Sequence, residues 1–208
     1  MLQIIPALLV AITVVIQCLA VQMSRYRLSR MNARPPHHGL ALISGMLAAA
    51  AIILRLYQND SAVGVLFMTI MTGCMTLMTL TDAASCRLPR PFTIMYLISG
   101  SAFRLWQGDW LTGLCSAGFW FLLLLLFRQY TSYRRKTETI GLGDVFLIAG
   151  IAIWSPPGDI PWIVATAAGG ALLYLWCNRQ RRITRELPFG PFLCASQYAF
   201  TFYPGGLW

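Results

Sequence analysis

Fourteen of the sixteen Lys and Arg residues in this 208-residue chain fall in four short connections, each following an odd-numbered apolar run. The runs cover roughly residues 2–22, 39–57, 62–81, 91–107, 111–127, 142–155, 160–177 and 189–204. About 20 apolar residues span the hydrocarbon of a bilayer, so these lengths and their alternation with arginine predict a polytopic membrane protein. Only 11% of the residues are charged, where a soluble domain carries about 25%. The expected fold is all-α, a bundle of about eight transmembrane helices. The runs at 142–155 and 189–204 are short and contain glycine or proline. Such segments need cover from protein or water for their free backbone groups.

The basic residues set the expected orientation. Arg25, Arg27, Arg30 and Arg34 follow the first run, and Arg87 and Arg90 the third. Arg128, Arg134, Arg135 and Lys136 follow the fifth, and Arg179, Arg181, Arg182 and Arg185 the seventh. Opposite connections such as "QNDS" and "SPPGD" carry none. The positive-inside rule puts the arginine side in the cytoplasm and both termini on the non-cytoplasmic side. Topology therefore accounts for the net charge of +9. The charge is spread over four connections and concentrated on no single helix face, which argues against a nucleic-acid partner. No Lys or Arg precedes Arg25, so the first run reads as a retained span and not as a cleaved signal peptide. No connection is long enough for a soluble domain. Residues 1–208 read as one membrane domain, with 23–38 a short basic cytoplasmic loop.

The six cysteines form no C-x-x-C pair, and most lie in apolar runs, where they read as small core residues. His37 and His38 follow Pro35-Pro36 without a cysteine nearby, and read as interfacial polar residues. No metal and no cofactor are expected.

Of the seven acids, Asp60, Asp109 and Asp159 lie in outer connections, whereas Asp82, Glu138, Asp144 and Glu186 lie on the arginine side. Asp144 opens the sixth run in "GLGDVFLIAG", where a helix N-terminus favours an acid. Asp82 ends the third run in "TLTDAASCRLPRPFT", at the unfavourable end of its helix dipole. A carboxylate at membrane depth needs a partner or a task. Two carboxylates held close share one proton. The ionised one takes a proton from water attacking a peptide carbonyl, while the protonated one hydrogen-bonds the carbonyl oxygen. Gly141 and Gly143 fit such a site by permitting close backbone approach, although glycine pairs also serve helix packing.

"GLGD", with an acid ending an earlier span, resembles the type IV prepilin peptidases, membrane aspartyl proteases with a glycine-x-glycine-aspartate signature. Three further stretches carry the resemblance in order. "DAASCRLPRPFT" is similar to the family's segment after its first catalytic aspartate. Glu138 stands six residues before Asp144, where the family often carries an acid. "LPFGPFLCAS" resembles the opening of the family's final span. The resemblance implies an aspartic endopeptidase of the bacterial cytoplasmic membrane that removes the basic leader of a type IV prepilin or a related precursor, such as a secretion pseudopilin, at the cytoplasmic face. It makes Asp82 and Asp144 the catalytic pair, supported by Gly141, Gly143 and Glu138. Candidate substrate contacts are Glu138, Glu186, Pro188, Phe189, Gly190 and Pro191. The expected partners are the precursor protein and the lipid bilayer.

Three departures stand out. Full-length relatives carry a zinc-binding cysteine domain between spans one and two, where this chain has only "SRYRLSRMNARPPHH". The family often has an acid where Arg90 stands and a lysine where Phe146 stands. Many full-length relatives also methylate the new N-terminus, an activity associated with the missing domain, so cleavage without methylation is expected here. The alternatives are another intramembrane protease with the same signature, a small proton- or cation-coupled transporter, and a structural subunit of a pilus machine. A transporter would often show repeated halves with acids near mid-bilayer, and no repeat is visible.

Overall fold

A computed structural model describes residues 4–31, 38–57, 61–135, 141–177 and 187–202. Its described residues form eight helices: α1 (Ile4–Arg30), α2 (His38–Tyr57), α3 (Ala62–Ser85), α4 (Arg90–Gln107), α5 (Trp110–Arg135), α6 (Leu142–Trp154), α7 (Ile160–Cys177) and α8 (Gly190–Thr201). Each expected apolar run became one helix. Five of them, α1, α2, α3, α5 and α7, are long and apolar enough to cross a membrane. The protein is a polytopic helical membrane protein.

Two helices outrun their apolar stretches. α1 continues to Arg30 and α5 to Arg135, so the first eight residues of the 23–38 segment are helical. Arginine is a good helix former, and neither extension contains glycine or proline before the helix stops. α3 also passes its expected end. It stops after Ser85 with Cys86 in the left-handed region, φ 50° and ψ 31°, where the Cys86 N–H donates to Asp82 O at 2.7 Å. A left-handed cap followed by proline, here Pro89, is a common helix stop. Asp82 consequently sits in the last turn of α3.

α3 is the central helix, packed by α1, α2, α4 and α8. Of its apolar window 72% is buried, against 11% for α5, so α5 presents most of its surface outward, as a lipid-facing helix does. Met68, Met71, Met75 and Met78 of α3 meet Tyr96 and Phe103 of α4, Leu147, Ile151 and Trp154 of α6, and Leu193 and Tyr198 of α8 in one core. The opposite side of α3 carries hydroxyls. Thr69 pairs with Thr13 at 3.2 Å, and Thr72 accepts from Gln17 Nε2 at 3.2 Å. Inside a membrane these links matter because lipid offers no hydrogen bonds.

α6 has 13 residues and α8 has 12. At 1.5 Å per residue both are about 20 Å long or less, short of the roughly 30 Å hydrocarbon. They survive because other helices cover them. Val145, Leu147–Trp154 and Ser155 are all buried. α4 and α6 approach so closely that a Cβ on Gly150 would lie 2.6 Å from the Tyr96 ring. Trp154 Nε1 donates to Tyr96 O at 3.1 Å, its ring stacks on Phe103 at 5.2 Å, and the Tyr96 hydroxyl donates to Gln197 Oε1 of α8 at 2.6 Å. The short α6 ends inside the bundle, where its last carbonyls need donors. Arg104 of α4 supplies them: Nε donates to Ile153 O at 2.7 Å and Nη2 to Ser155 O at 3.0 Å, while Nη1 reaches Asp109 at 3.4 Å.

Arg104→Ala leaves two buried carbonyls without donors, and hydrogen bonds to charged groups contribute about 1.5–3 kcal/mol each. The variant should lose about 3 kcal/mol of stability, read by tryptophan fluorescence during thermal unfolding in detergent. An unchanged midpoint would show that α6 does not depend on this cap.

Candidate active site

Asp82 and Asp144 reach the same end of the bundle from different helices. Asp144 lies in the first turn of α6 and Asp82 in the last turn of α3. The α3 carboxylate is 4% exposed and that of α6 is half-buried. Asp144 lies near enough to Asp82 to feel its charge. At the C-terminal end of its own helix Asp82 would meet an unfavourable dipole. The bundle answers with the N-terminus of another helix. Gly190, the first residue of α8, donates its N–H to Asp82 Oδ2 at 2.8 Å. First-turn N–H groups have no partner within their own helix and attract carboxylates.

Three glycines set the spacing of this site. A Cβ on Gly190 would stand 2.8 Å from Asp82 Oδ2, so only glycine lets the α8 N-terminus seat itself against the carboxylate. A Cβ on Gly143 would stand 2.7 Å from Leu88 Cβ. Leu88, in the turn after α3, thus packs directly on the turn that carries Asp144. Gly141 is the N-cap of α6, and its added Cβ would lie 3.2 Å from Asp144 Oδ2. The Asp144 side chain therefore folds back toward its own cap. The "GLGD" pattern keeps one glycine for the acid and one for the neighbouring turn.

The expected substrate contacts divide. Glu138 and Glu186 lie outside the described residues. Gly190 is buried against Asp82, while Pro188, Phe189 and Pro191 are half-buried around it. Phe189 packs on the main core and Pro191 sits in the first turn of α8, a favoured position for proline. Phe146 stacks on Phe121 of α5 at 5.2 Å, so this position serves helix packing. His38 is exposed and pairs with Arg25 at 3.2 Å; His37 lies outside the described residues. Among the described residues no three His, Cys, Asp or Glu side chains converge as a metal site. The arrangement is that of two carboxylates at one end of the helix bundle, one of them fixed by a backbone donor.

Sequence reasoning did not find the link between Gly190 and Asp82. Its signal was the glycine between Phe189 and Pro191, a helix start with no side chain, but no residue spacing tells which acid that start will meet.

Comparison with known proteins gives the family of the chain. Residues 69–176, which include both aspartates and both signature glycines, match the model of the type IV leader peptidase family. Proteins named prepilin leader peptidase/N-methyltransferase from two strains of Burkholderia pseudomallei, 1026b and K96243, are each 33% identical over 175 residues. Those alignments cover 79% of this chain and 53% of the relatives, so the chain spans about half the length of the curated relatives it matches. No solved structure matches the chain. Because the family match takes in just over half of the residues and both carboxylates, the chain belongs to the type IV leader peptidase family.

Proposed function

We propose that this protein is a membrane aspartic endopeptidase that removes the basic leader of a type IV prepilin or prepilin-like precursor, with Asp82 and Asp144 as its catalytic pair. The observation that carries the reading is the arrival of two carboxylates at one end of the bundle, with a backbone N–H holding the more buried one. The family membership and the relatives' printed name support the substrate class. The arginine pattern supports a multi-pass protein of the bacterial cytoplasmic membrane with this end facing the cytoplasm and both termini opposite.

The mechanism draws on the two carboxylates and one water molecule. The ionised carboxylate accepts a proton from a water molecule as the water oxygen attacks the scissile carbonyl. The protonated carboxyl donates a hydrogen bond to the carbonyl oxygen as that atom gains charge. Collapse of the tetrahedral intermediate breaks the C–N bond, and the amine leaves with a proton from the pair. Gly190 holds Asp82 in place through these steps, and the Leu88–Gly143 contact holds the α3 exit turn against α6.

Asp82→Asn and Asp144→Asn should each insert normally and cut precursor processing about 10²–10⁴-fold. The double variant should be no worse than either single one, because the pair acts as a unit. Immunoblots of precursor and mature protein, with equal amounts of each variant in membranes, read this out. Near-normal processing by either single variant would remove the pair from the mechanism.

Gly190→Ala places a methyl group against Asp82 Oδ2, and a displacement of about 1 Å at a reacting group costs about a hundredfold in rate. Processing should fall by that order. Gly45→Ala, whose Cβ meets nothing within 4 Å, should stay within about twofold of wild type, as surface substitutions do. Equal rates for the two variants would show that Gly190 does not set the Asp82 position.

Cleavage without N-methylation is the second part of the proposal. The 23–38 segment is short, and α1 takes its first eight residues, so it cannot bury a core of its own. Incubating purified protein with precursor and S-adenosylmethionine, then taking a mass spectrum of the new N-terminal peptide, should show an unmethylated terminus. A fully methylated product would refute this part while leaving the peptidase in place.

A further inference from the structure

A second feature lies where the α3 exit turn meets the end of α1. A cavity of about 110 Å³ opens between the ends of α1 and α3, lined by Arg27, Met31, Thr81, Ser85, Arg87 and Leu88 among others. At about 30 Å³ per water it has room for roughly three waters, which is also about the size of a phosphate group. Two arginines, Arg27 and Arg87, are among its lining residues, and no acidic residue is. No described carboxylate lies within ion-pair distance of Arg27 or Arg87.

Arg27 is held in place. Its guanidinium carbon lies over the Phe92 ring of α4, 4.9 Å from the ring centroid, and a guanidinium carries its N–H donors along a planar edge. Such an edge matches phosphate oxygens two at a time. Beside Thr81 and Ser85 the lining includes apolar residues, among them the fully buried Leu28 and the half-exposed Met31. An anion with an apolar tail suits that combination better than a free ion, which would gain nothing from Met31. The helices around the pocket are membrane helices, and anionic headgroups concentrate at the arginine-rich leaflet.

We propose that this pocket binds the phosphate of an anionic phospholipid headgroup, and that the bound headgroup clamps the turn after α3 onto α6. The clamp follows from Leu88. The same residue lines the pocket and packs on Gly143, next to Asp144. A phosphate held between Arg27 of α1 and Arg87 of the turn ties that turn to α1, and with it the wall that positions the α6 N-terminus. The headgroup also places negative charge beside a strongly basic protein face that has to receive a basic leader.

Headgroup capture does not depend on the peptidase reading; only the rate measurement rests on it. Purified full-length protein is analysed by native mass spectrometry after exchange into mixed micelles of phosphatidylglycerol and phosphatidylcholine. Wild type should retain phosphatidylglycerol preferentially. Each of Arg27→Gln and Arg87→Gln should weaken retention about fivefold and the pair about thirtyfold, as expected for the loss of one or two basic contacts to an anionic headgroup. The double variant Arg90→Gln, Arg134→Gln, which removes two exposed arginines outside the pocket, should retain the lipid as wild type does. In vesicles, precursor cleavage by wild type should be faster with phosphatidylglycerol than with phosphatidylcholine alone, and the Arg27/Arg87 variant should lose that difference. Three results would overturn the proposal: unchanged retention in both Arg27 and Arg87 variants, equal loss in the Arg90/Arg134 control, or full activation of phosphatidylcholine vesicles by inorganic phosphate. If no vesicle shows cleavage, the retention series still decides the lipid site and the failure belongs to the peptidase reading.

Discussion

A carboxylate buried at the wrong end of its own helix is tolerated here because another helix begins against it. The hydrogen bond from Gly190 N–H to Asp82 is 2.8 Å long. It joins the last turn of α3 to the first turn of α8, residues more than a hundred positions apart. Without it, Asp82 would be a buried acid facing the negative end of a helix dipole, with lipid-facing helices around it. With it, one carboxylate oxygen is fixed against the first turn of α8. The site therefore exists only when α3, α6 and α8 are all in register.

The remaining packing serves that register. α6 and α8 are too short to be held by the bilayer alone, so their depth is set by protein contacts. The Tyr96 hydroxyl ties α4 to α8 through Gln197, and its backbone carbonyl takes the Trp154 indole of α6. Arg104 closes the far end of α6, about 15 Å from the Asp144 turn at 1.5 Å per residue. An arginine that ends one helix and an aspartate that opens it act as the two stops of the same short rod. The close approach at Gly150 sets how near the rod lies to α4. The outward faces of α1, α5 and α7 take little part in this and meet lipid.

The layout of helices was legible because lipid imposes few choices: an apolar run of sufficient length has to become a helix. All eight runs did so, and apart from the C-terminal ends of α1 and α5 their boundaries agree to within a few residues. The C-terminal ends of α1 and α5 were not legible from hydropathy. Their last turns are polar and arginine-rich, and hydropathy reports where lipid ends, whereas helix ends are set by propensity and caps. Asp82 and Asp144 could be read from the "GLGD" pattern and from an acid at an unfavourable helix end. The partner of Asp82 could not, because Gly190 has no side chain to betray its role. The same holds for Leu88 on Gly143 and for Arg104 under α6. Each is a contact between distant segments, decided by packing angles that a single sequence does not display. Residues proposed for the leader, Glu138 and Glu186, fall outside the described segments, whereas Gly190, grouped with them from the sequence, turned inward to hold the acid.

The most direct test is an experimental structure with a precursor-derived peptide whose scissile bond is replaced by a non-hydrolysable hydroxyl. That hydroxyl stands where the attacking water and the charged carbonyl oxygen meet in the reaction. The account predicts that it lies within about 3 Å of a carboxylate oxygen of both Asp82 and Asp144, with Gly190 N–H still on Asp82. A hydroxyl bound by only one aspartate, or an α8 N-terminus drawn away from Asp82 in the complex, would contradict it.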